Sequence, residues 1–261
     1  MRCEQEHYFA TILGILPKDV NFSQRRGTHM HNLLYLFYKA KIHKKLFDGC
    51  TNAGLRYLRM ACRKLKAEDF MLLGRKYSEY VVYYRQENIQ PIAVEKGFSK
   101  ILYEDKDHLF IYEGRIDFIG KFPNDPAKFW VDHKTEARKE ELNPDSNQFL
   151  GYSWALGTTN GLINYIGFQT GKSPDEAFRR TIVTHHKELI AEWHEQTIHA
   201  YFRLANLHRH SYYTKNRSQC KPYACQPCMY HELCHQANPR KVAALISQDF
   251  EKRATPWKAW D

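Results

Sequence analysis

The chain has no run of about 18 apolar residues, so no membrane-spanning helix is expected. Its start, Met1-Arg2-Cys3-Glu4-Gln5-Glu6-His7, lacks the basic-then-apolar order of a secretory signal. That points to a reducing cytoplasm, or to the host's cytoplasm if the chain is phage-encoded. No internal repeat and no low-complexity tract is present. The chain is also short of acid, with 29 Asp and Glu against 39 Lys and Arg, a formal net charge of +10. Such a balance suits a polyanionic partner such as nucleic acid or an anionic surface, against the plainer reading of a merely basic cytosolic protein. With 261 residues and 43% apolar content, one large domain, or one domain with a small appendage, can bury a core.

Cysteine is sparse except in one place. Four of the seven cysteines lie between Cys220 and Cys234, as Cys220, Cys225-Gln-Pro-Cys228 and Cys234. In a reducing compartment, metal ligation is expected over a disulfide framework. Thiolates at this density hold zinc or an iron–sulfur cluster. Spacing alone allows a local zinc site built from Cys220, Cys225, Cys228 and Cys234. Cys50 and Cys62 are expected in helical packing.

The pattern predicts helices first: Cys3 to about Leu16, ended by Pro17, then Thr28 as N-cap of a helix to about Leu46, then 51–66 and 68–88. Arg56, Arg59, Arg63 and Lys64 form a basic stripe that either tracks phosphates or is a solvated face. Strands follow at Ile92–Glu95, Phe98–Tyr103 and Leu109–Phe122. Asn143-Pro144 predicts a helix start, and that helix stops near Gly157. Strands at 162–170 and 177–184, a helix over 186–206 and a short helix over 240–252 complete the reading. This is an α/β class with a mixed central sheet flanked by helices. The whole chain, 1–261, reads as a single domain: a helical part to 90, a core over 91–210, a cysteine segment over 211–236 and a tail.

The chemistry is expected around Gly114–Thr135. Two apolar runs flank Pro123-Asn124-Asp125-Pro126 as an antiparallel hairpin. Asp132 and Lys134 share a strand face, and Asp117 joins them if the register allows. Two carboxylates hold a hard divalent cation, the His133 carbonyl adds an oxygen, and a lysine places positive charge beside an attacked phosphate. Asp-x-Lys alone is common and more often an ordinary salt-bridged hairpin. On the next helix, Gln148 and Tyr152 are four apart and share a face that can cover the site. His31 stands in an apolar helical stripe, where a lone His is more often a satisfied core residue. Around the cysteines, Tyr212, Tyr213, Lys215, Arg217, Lys221 and Tyr223 interleave bases with aromatics, which suits either single-stranded nucleic acid or packing about a metal site.

Taken in order, Gly27 to His31, Gly114 to Asp117, Asp132 to Lys134 and Gln148 to Tyr152 resemble the PD-(D/E)XK nuclease superfamily. Within it they resemble the RecB-like exonucleases, including the AddB nuclease domain and the CRISPR-associated RecB-like type. The resemblance covers about Cys3 to Cys234, and Ile116 stands where the usual Pro precedes the first aspartate. It implies a restriction-endonuclease-like core and a metal-dependent DNA nuclease, an exonuclease on single-stranded or frayed duplex ends, working in recombination, repair, CRISPR adaptation or phage DNA metabolism. It implies Mg²⁺ or Mn²⁺ held by His31, Asp117, Asp132 and the His133 carbonyl, with Lys134, Gln148 and Tyr152 completing the catalytic set. It also implies a [4Fe–4S] cluster on Cys3, Cys225, Cys228 and Cys234, with Cys220 the alternative fourth ligand and Zn²⁺ the alternative metal. Glu95 resembles an acidic residue that precedes the hairpin in many members, and is read as a surface or structural carboxylate. A catalytically silent DNA-binding or assembly subunit is the alternative in a different class.

Overall fold

The computed structural model describes residues 3–18, 22–61, 63, 65–136, 143–210, 213–215, 228–236 and 238–253. The elements, in order, are α1 (Glu4–His7) continued by a wide helical turn at Tyr8–Ile12, β1 (Ile15–Pro17), α2 (Phe22–Ile42), α3 (Phe47–Ala61) and α4 (Ala67–Tyr83). Then come β2 (Gln90–Glu104), β3 (Leu109–Lys121), β4 (Lys128–Glu136), α5 (Asn147–Leu156), β5 (Asn160–Gly167), α6 (Pro174–Ala177) and β6 (Phe178–Thr184). The chain continues through α7 (Lys187–His210), α8 (His231–His235), α9 (Pro239–Asp249) and β7 (Phe250–Lys252). They fall into two compact units, Phe22–Ile198 and Met1–Asn21 with His199–Lys258.

The first unit is built on a five-stranded sheet in the order β2-β3-β4-β5-β6, antiparallel throughout except for the parallel β4–β5 pair. This is the mixed α/β sheet with flanking helices that the sequence predicts. Strand alternation gives β4 two apolar faces. Phe129 and Val131 join the large cluster under α2, α3 and α4, with Leu34, Tyr38, Leu58, Tyr77 and Tyr80. Trp130 joins the smaller cluster under α5, stacked on Phe149 at 5.1 Å between ring centres.

The antiparallel β3–β4 ladder runs from Lys121↔Lys128 to Phe118↔Val131. Its next rung is made by a side chain instead: the His133 amide donates to Asp117 Oδ2 at 2.6 Å. The ladder gives way to the Asp117 side chain, and residues from both helical layers reach that place.

Local details differ from the sequence reading where long-range packing decides. The helix predicted to run from Cys3 to Leu16 ends at Ile12, because Ile15–Pro17 pairs as β1 with β7, far off in sequence. Thr28 is not an N-cap, since α2 begins at Phe22 and passes through it. Glycine inside a helix costs about 1 kcal/mol. Gly27 is tolerated because a Cβ there would lie 2.8 Å from Thr135 Oγ1 of β4, so glycine permits the close helix–strand approach. Asn143 and Pro144 do not begin α5. The Asn143 side chain accepts from the Asp145 amide at 3.0 Å in a local turn, and Ser146 holds the N-cap position. The predicted stop at Gly157 stands, with φ +70°. The strands at 92–95 and 98–103 are one strand with bulges, and the last helix stops at Asp249, where β7 begins.

In the second unit, β1 and β7 form an antiparallel pair over a core of Phe9, Ile15, Tyr230, Leu233, Cys234 and Phe250. Tyr230 OH donates to the Ile15 carbonyl at 2.7 Å and the Gln5 amide to the Thr214 carbonyl at 3.2 Å. The early and late parts of the chain are thus tied by ordinary packing and backbone bonds.

Candidate active site

Asp132 is 2% exposed, so its carboxylate is set in low dielectric. Lys134, two residues on and on the same face, brings Nζ to 2.8 Å from Asp132 Oδ2. This is an ion pair at hydrogen-bonding distance, and the Lys134 ammonium is the partner of this buried oxygen. The other oxygen, Oδ1, accepts from Gln148 Nε2 at 2.9 Å. The same amide donates to Tyr152 OH at 2.8 Å, while Gln148 Oε1 accepts from Lys134 Nζ at 2.9 Å. Tyr152 OH donates onward to the Arg115 carbonyl at 2.9 Å. One turn of α5 therefore fixes both the lysine and the aspartate.

On the other side, His31 Nδ1 of α2 lies 3.5 Å from Asp117 Oδ1. His31, Glu95 and Asp117 each offer a ligand atom, all within 4.8 Å of one another. Carboxylate oxygens suit Mg²⁺ or Mn²⁺, one imidazole stands beside them, and the buried Asp132 carboxylate is a further donor for which a cation can compete with Lys134. The residues present fit a divalent metal.

The two aspartates differ electrostatically. Burial, then the neighbouring Asp117 charge, pushes Asp132 up to about 6, against the pull of Lys134. Burial also works against ionisation of Asp117, but the hydrogen bond and charge of His31, together with His133, hold it below the usual carboxylate range. Burial would lower His31, yet Asp117, Asp132 and Glu95 together raise it. Burial raises Glu95, reinforced by Asp117 and opposed by Arg115. Burial raises Tyr152 too, with Asp132, so it stays a protonated phenol. His133 is pushed down to about 3 by burial, so its ring is neutral.

Glu95 is the residue the sequence reading set aside. Its neighbours Val94 and Lys96 pair with Phe118 and Ile116, which puts Glu95 across from Asp117. A bulge between Ile101 and Tyr103 creates this register, so counting back from the β2–β3 turn misses it. Its φ of +46° lies in the left-handed region, a conformation costing on the order of 1–3 kcal/mol in a non-glycine residue. Arg115 Nε holds the carboxylate at 2.8 Å. Backbone strain beside a cluster of ligand-type side chains is the signal that marks this position.

The other sequence-predicted sites are less complete. Cys3 and Cys234 are buried and Cys228 half-buried, all in the second unit. Cys3 Sγ lies 3.8 Å from the Thr214 carbonyl, and the next residue, Lys215, donates to the Cys234 carbonyl at 2.5 Å. Cys225, Cys220 and Cys62 lie outside the described residues, as do Lys64, Tyr212, Arg217, Lys221 and Tyr223. Tyr213 stacks on Tyr8 at 4.6 Å and bonds His208, which is packing. Arg56, Arg59 and Arg63 are exposed. Among the described residues, no helix is long and apolar enough to cross a membrane.

Among solved structures, one described as the crystal structure of SSO0001 is similar, at 14% identity and a TM-score of 0.32. The match covers 56% of this chain and 66% of that one, short of two thirds of its length. No curated protein matches. The family match is broad, extending over residues 1–235 and containing every motif of the site just described. The chain belongs to the PD-(D/E)XK nuclease superfamily.

Proposed function

We propose that this chain is a Mg²⁺- or Mn²⁺-dependent deoxyribonuclease of the RecB-like branch, an exonuclease acting on single-stranded or frayed duplex ends. The observation that carries it is the convergence of Asp117, Asp132 and Lys134 at the end of the β3–β4 ladder, with His31 arriving from α2 and Gln148 from α5. His31, Asp117, Asp132 and the His133 carbonyl would hold the ion, with Glu95 on the His31 side. A divalent ion held there would polarise the scissile phosphate and lower the pKa of a bound water. Lys134, oriented by Gln148, offers its ammonium to charge developing on the phosphate. Gln148 bonds both Lys134 and Asp132 and is itself bonded to Tyr152, so this face of α5 orients the Asp132–Lys134 pair. DNA as substrate follows from the superfamily, and the exonuclease mode rests on the RecB-like motif order. The family match passes through both units, which supports treating them as parts of one nuclease domain.

Purified protein is to be given end-labelled linear single-stranded DNA, linear duplex, circular DNA and RNA, with Mg²⁺, Mn²⁺ or EDTA. The expected result is metal-dependent loss of linear DNA with circular DNA spared. Cleavage that survives EDTA, or that an Asp132→Ala protein performs as well as wild type, overturns the proposal. Cutting of circles overturns the exonuclease mode alone.

The second unit is proposed to carry a [4Fe–4S] cluster on Cys3, Cys225, Cys228 and Cys234. What supports it is the Thr214–Lys215 bridge between the surroundings of Cys3 and Cys234, in a unit where β1 pairs with β7. Such a cluster is a structural staple there. Anaerobic purification is expected to give brown protein with stoichiometric iron and sulfide. Colourless protein with one zinc per chain assigns the site to Zn²⁺.

A further inference from the structure

Behind the site, on the α2–α4 face of the sheet, lies a buried polar network that the proposed chemistry does not use. Glu87, with its side chain 3% exposed, accepts from Lys41 Nζ at 2.8 Å and from Arg180 Nη2 at 2.6 Å. The same Arg180 nitrogen donates to Tyr38 OH and Tyr80 OH, each at 3.2 Å, and Arg180 Nε donates to Asn164 Oδ1 at 3.2 Å. Asn164, 0% exposed, donates from Nδ2 to Tyr80 OH and to His133 Nδ1, both at 2.8 Å. Burying this much polarity is costly unless every group is satisfied.

The donor inventory orders the chain of contacts. Arginine only donates, so Arg180 compels Asn164 to present its oxygen to Nε and therefore its NH₂ to His133. That NH₂ requires a bare lone pair on His133 Nδ1, which fixes the tautomer and the ring's position. The ring is further held by stacking on Tyr38, 5.8 Å away with 14° between planes. His133 lies between Asp132 and Lys134 on β4, and its own amide donates to Asp117. Pinning this one side chain sets the strand from which Asp132 and Lys134 are aimed, and whose His133 amide holds Asp117 of β3.

We infer that Asn164, oriented by the Arg180–Glu87 pair, is a positioning residue for the nuclease centre, acting through His133. The inference rests on the nuclease reading above, and adds to it a buried anchor that no motif in the sequence announces.

The test measures Mn²⁺ binding without DNA, by the EPR signal of the free ion, then kcat and KM on linear DNA and the thermal midpoint. It uses wild type, Asn164→Asp, His133→Gln and the double variant. Asn164→Asp keeps an acceptor for Arg180 but cannot donate to His133 Nδ1. Its Mn²⁺ binding is expected to weaken roughly 10–100-fold, as outer partners of metal ligands typically do. kcat should fall while KM for DNA stays within about twofold, and the double variant should match His133→Gln within about twofold. If Asn164→Asp does not fold, Arg180→Lys keeps the charge facing Glu87 but loses the fork that orients Asn164, and should weaken Mn²⁺ binding in the same direction. Wild-type Mn²⁺ binding in the variants, or penalties that multiply in the double variant, overturn this inference alone. A wild-type protein that binds no Mn²⁺ overturns the nuclease reading and this inference with it.

Discussion

Asp117 and Asp132 are the same residue type, facing each other across neighbouring strands, and their surroundings treat them in opposite ways. Asp117 is met by His31 and by the His133 amide and stays ionised. Asp132 is sealed beneath α5 and paired with the Lys134 ammonium at 2.8 Å, yet burial and the Asp117 charge push it toward the neutral form. One carboxylate is thus a settled anion, and the other is one whose burial Lys134 only partly offsets. The pairing teaches how one hairpin can divide its labour between holding a cation and accepting a lysine, with environment rather than residue type assigning the parts.

The comparison breaks most completely if either aspartate is neutralised. Asp117→Asn and Asp132→Asn should each reduce DNA cleavage by more than the roughly 100-fold typical of outer partners of a metal site. Single-turnover assays at saturating Mn²⁺ read this, and a loss below tenfold in either would deny it a place in the centre. Lys134→Ala should lower kcat by about 10²–10³ while leaving Mn²⁺ affinity near wild type, which separates the lysine's role from the aspartates'. An equal loss of metal affinity would mean the lysine is structural. Glu95→Gln tests the Asp117 side alone. Mn²⁺ affinity should fall by about 10–100-fold, with kcat at saturating metal largely restored.

The proton linkage sharpens the contrast. Asp132 stands at about 6 when folded, against 3.8 as a free side chain. Between those values the folded protein holds a proton that the unfolded chain releases, so its contribution to metal-free stability falls as pH rises through that window. Metal binding needs the carboxylate ionised and strengthens over the same range. The rise in thermal midpoint on adding Mn²⁺ should therefore be larger at about pH 7 than at about pH 5. An equal rise at both would place Asp132 outside the binding equilibrium. The smallest effect concerns the scaffold. Gly27→Ala should cost up to about 2 kcal/mol net in denaturant unfolding, as the clash of its Cβ with Thr135 Oγ1 outweighs the roughly 1 kcal/mol of helix propensity gained.

Much of this was legible in the sequence where a short period sets the geometry. The alternation of β4 aligns Asp132 with Lys134, and the four-residue spacing on α5 aligns Gln148 with Tyr152. What escaped depends on contacts distant in sequence. Glu95 reaches Asp117 only through a bulge, which no residue pattern marks. The start of α2 before Gly27 breaks a helix rule for the sake of an approach to β4. Ile15–Pro17 reads as the end of a helix until β7 is there to pair with it. Asn164 and Arg180 look like ordinary strand residues, and their meaning lies in partners supplied by α2, α4 and β4.

The most direct test of the account is the position of the metal itself, by anomalous scattering from a crystal soaked with Mn²⁺. An ion is expected between Asp117 and Asp132, within coordination distance of His31 and beside Asp132 Oδ2. Mn²⁺ bound elsewhere, with Asp132 Oδ2 still facing only Lys134, would contradict it.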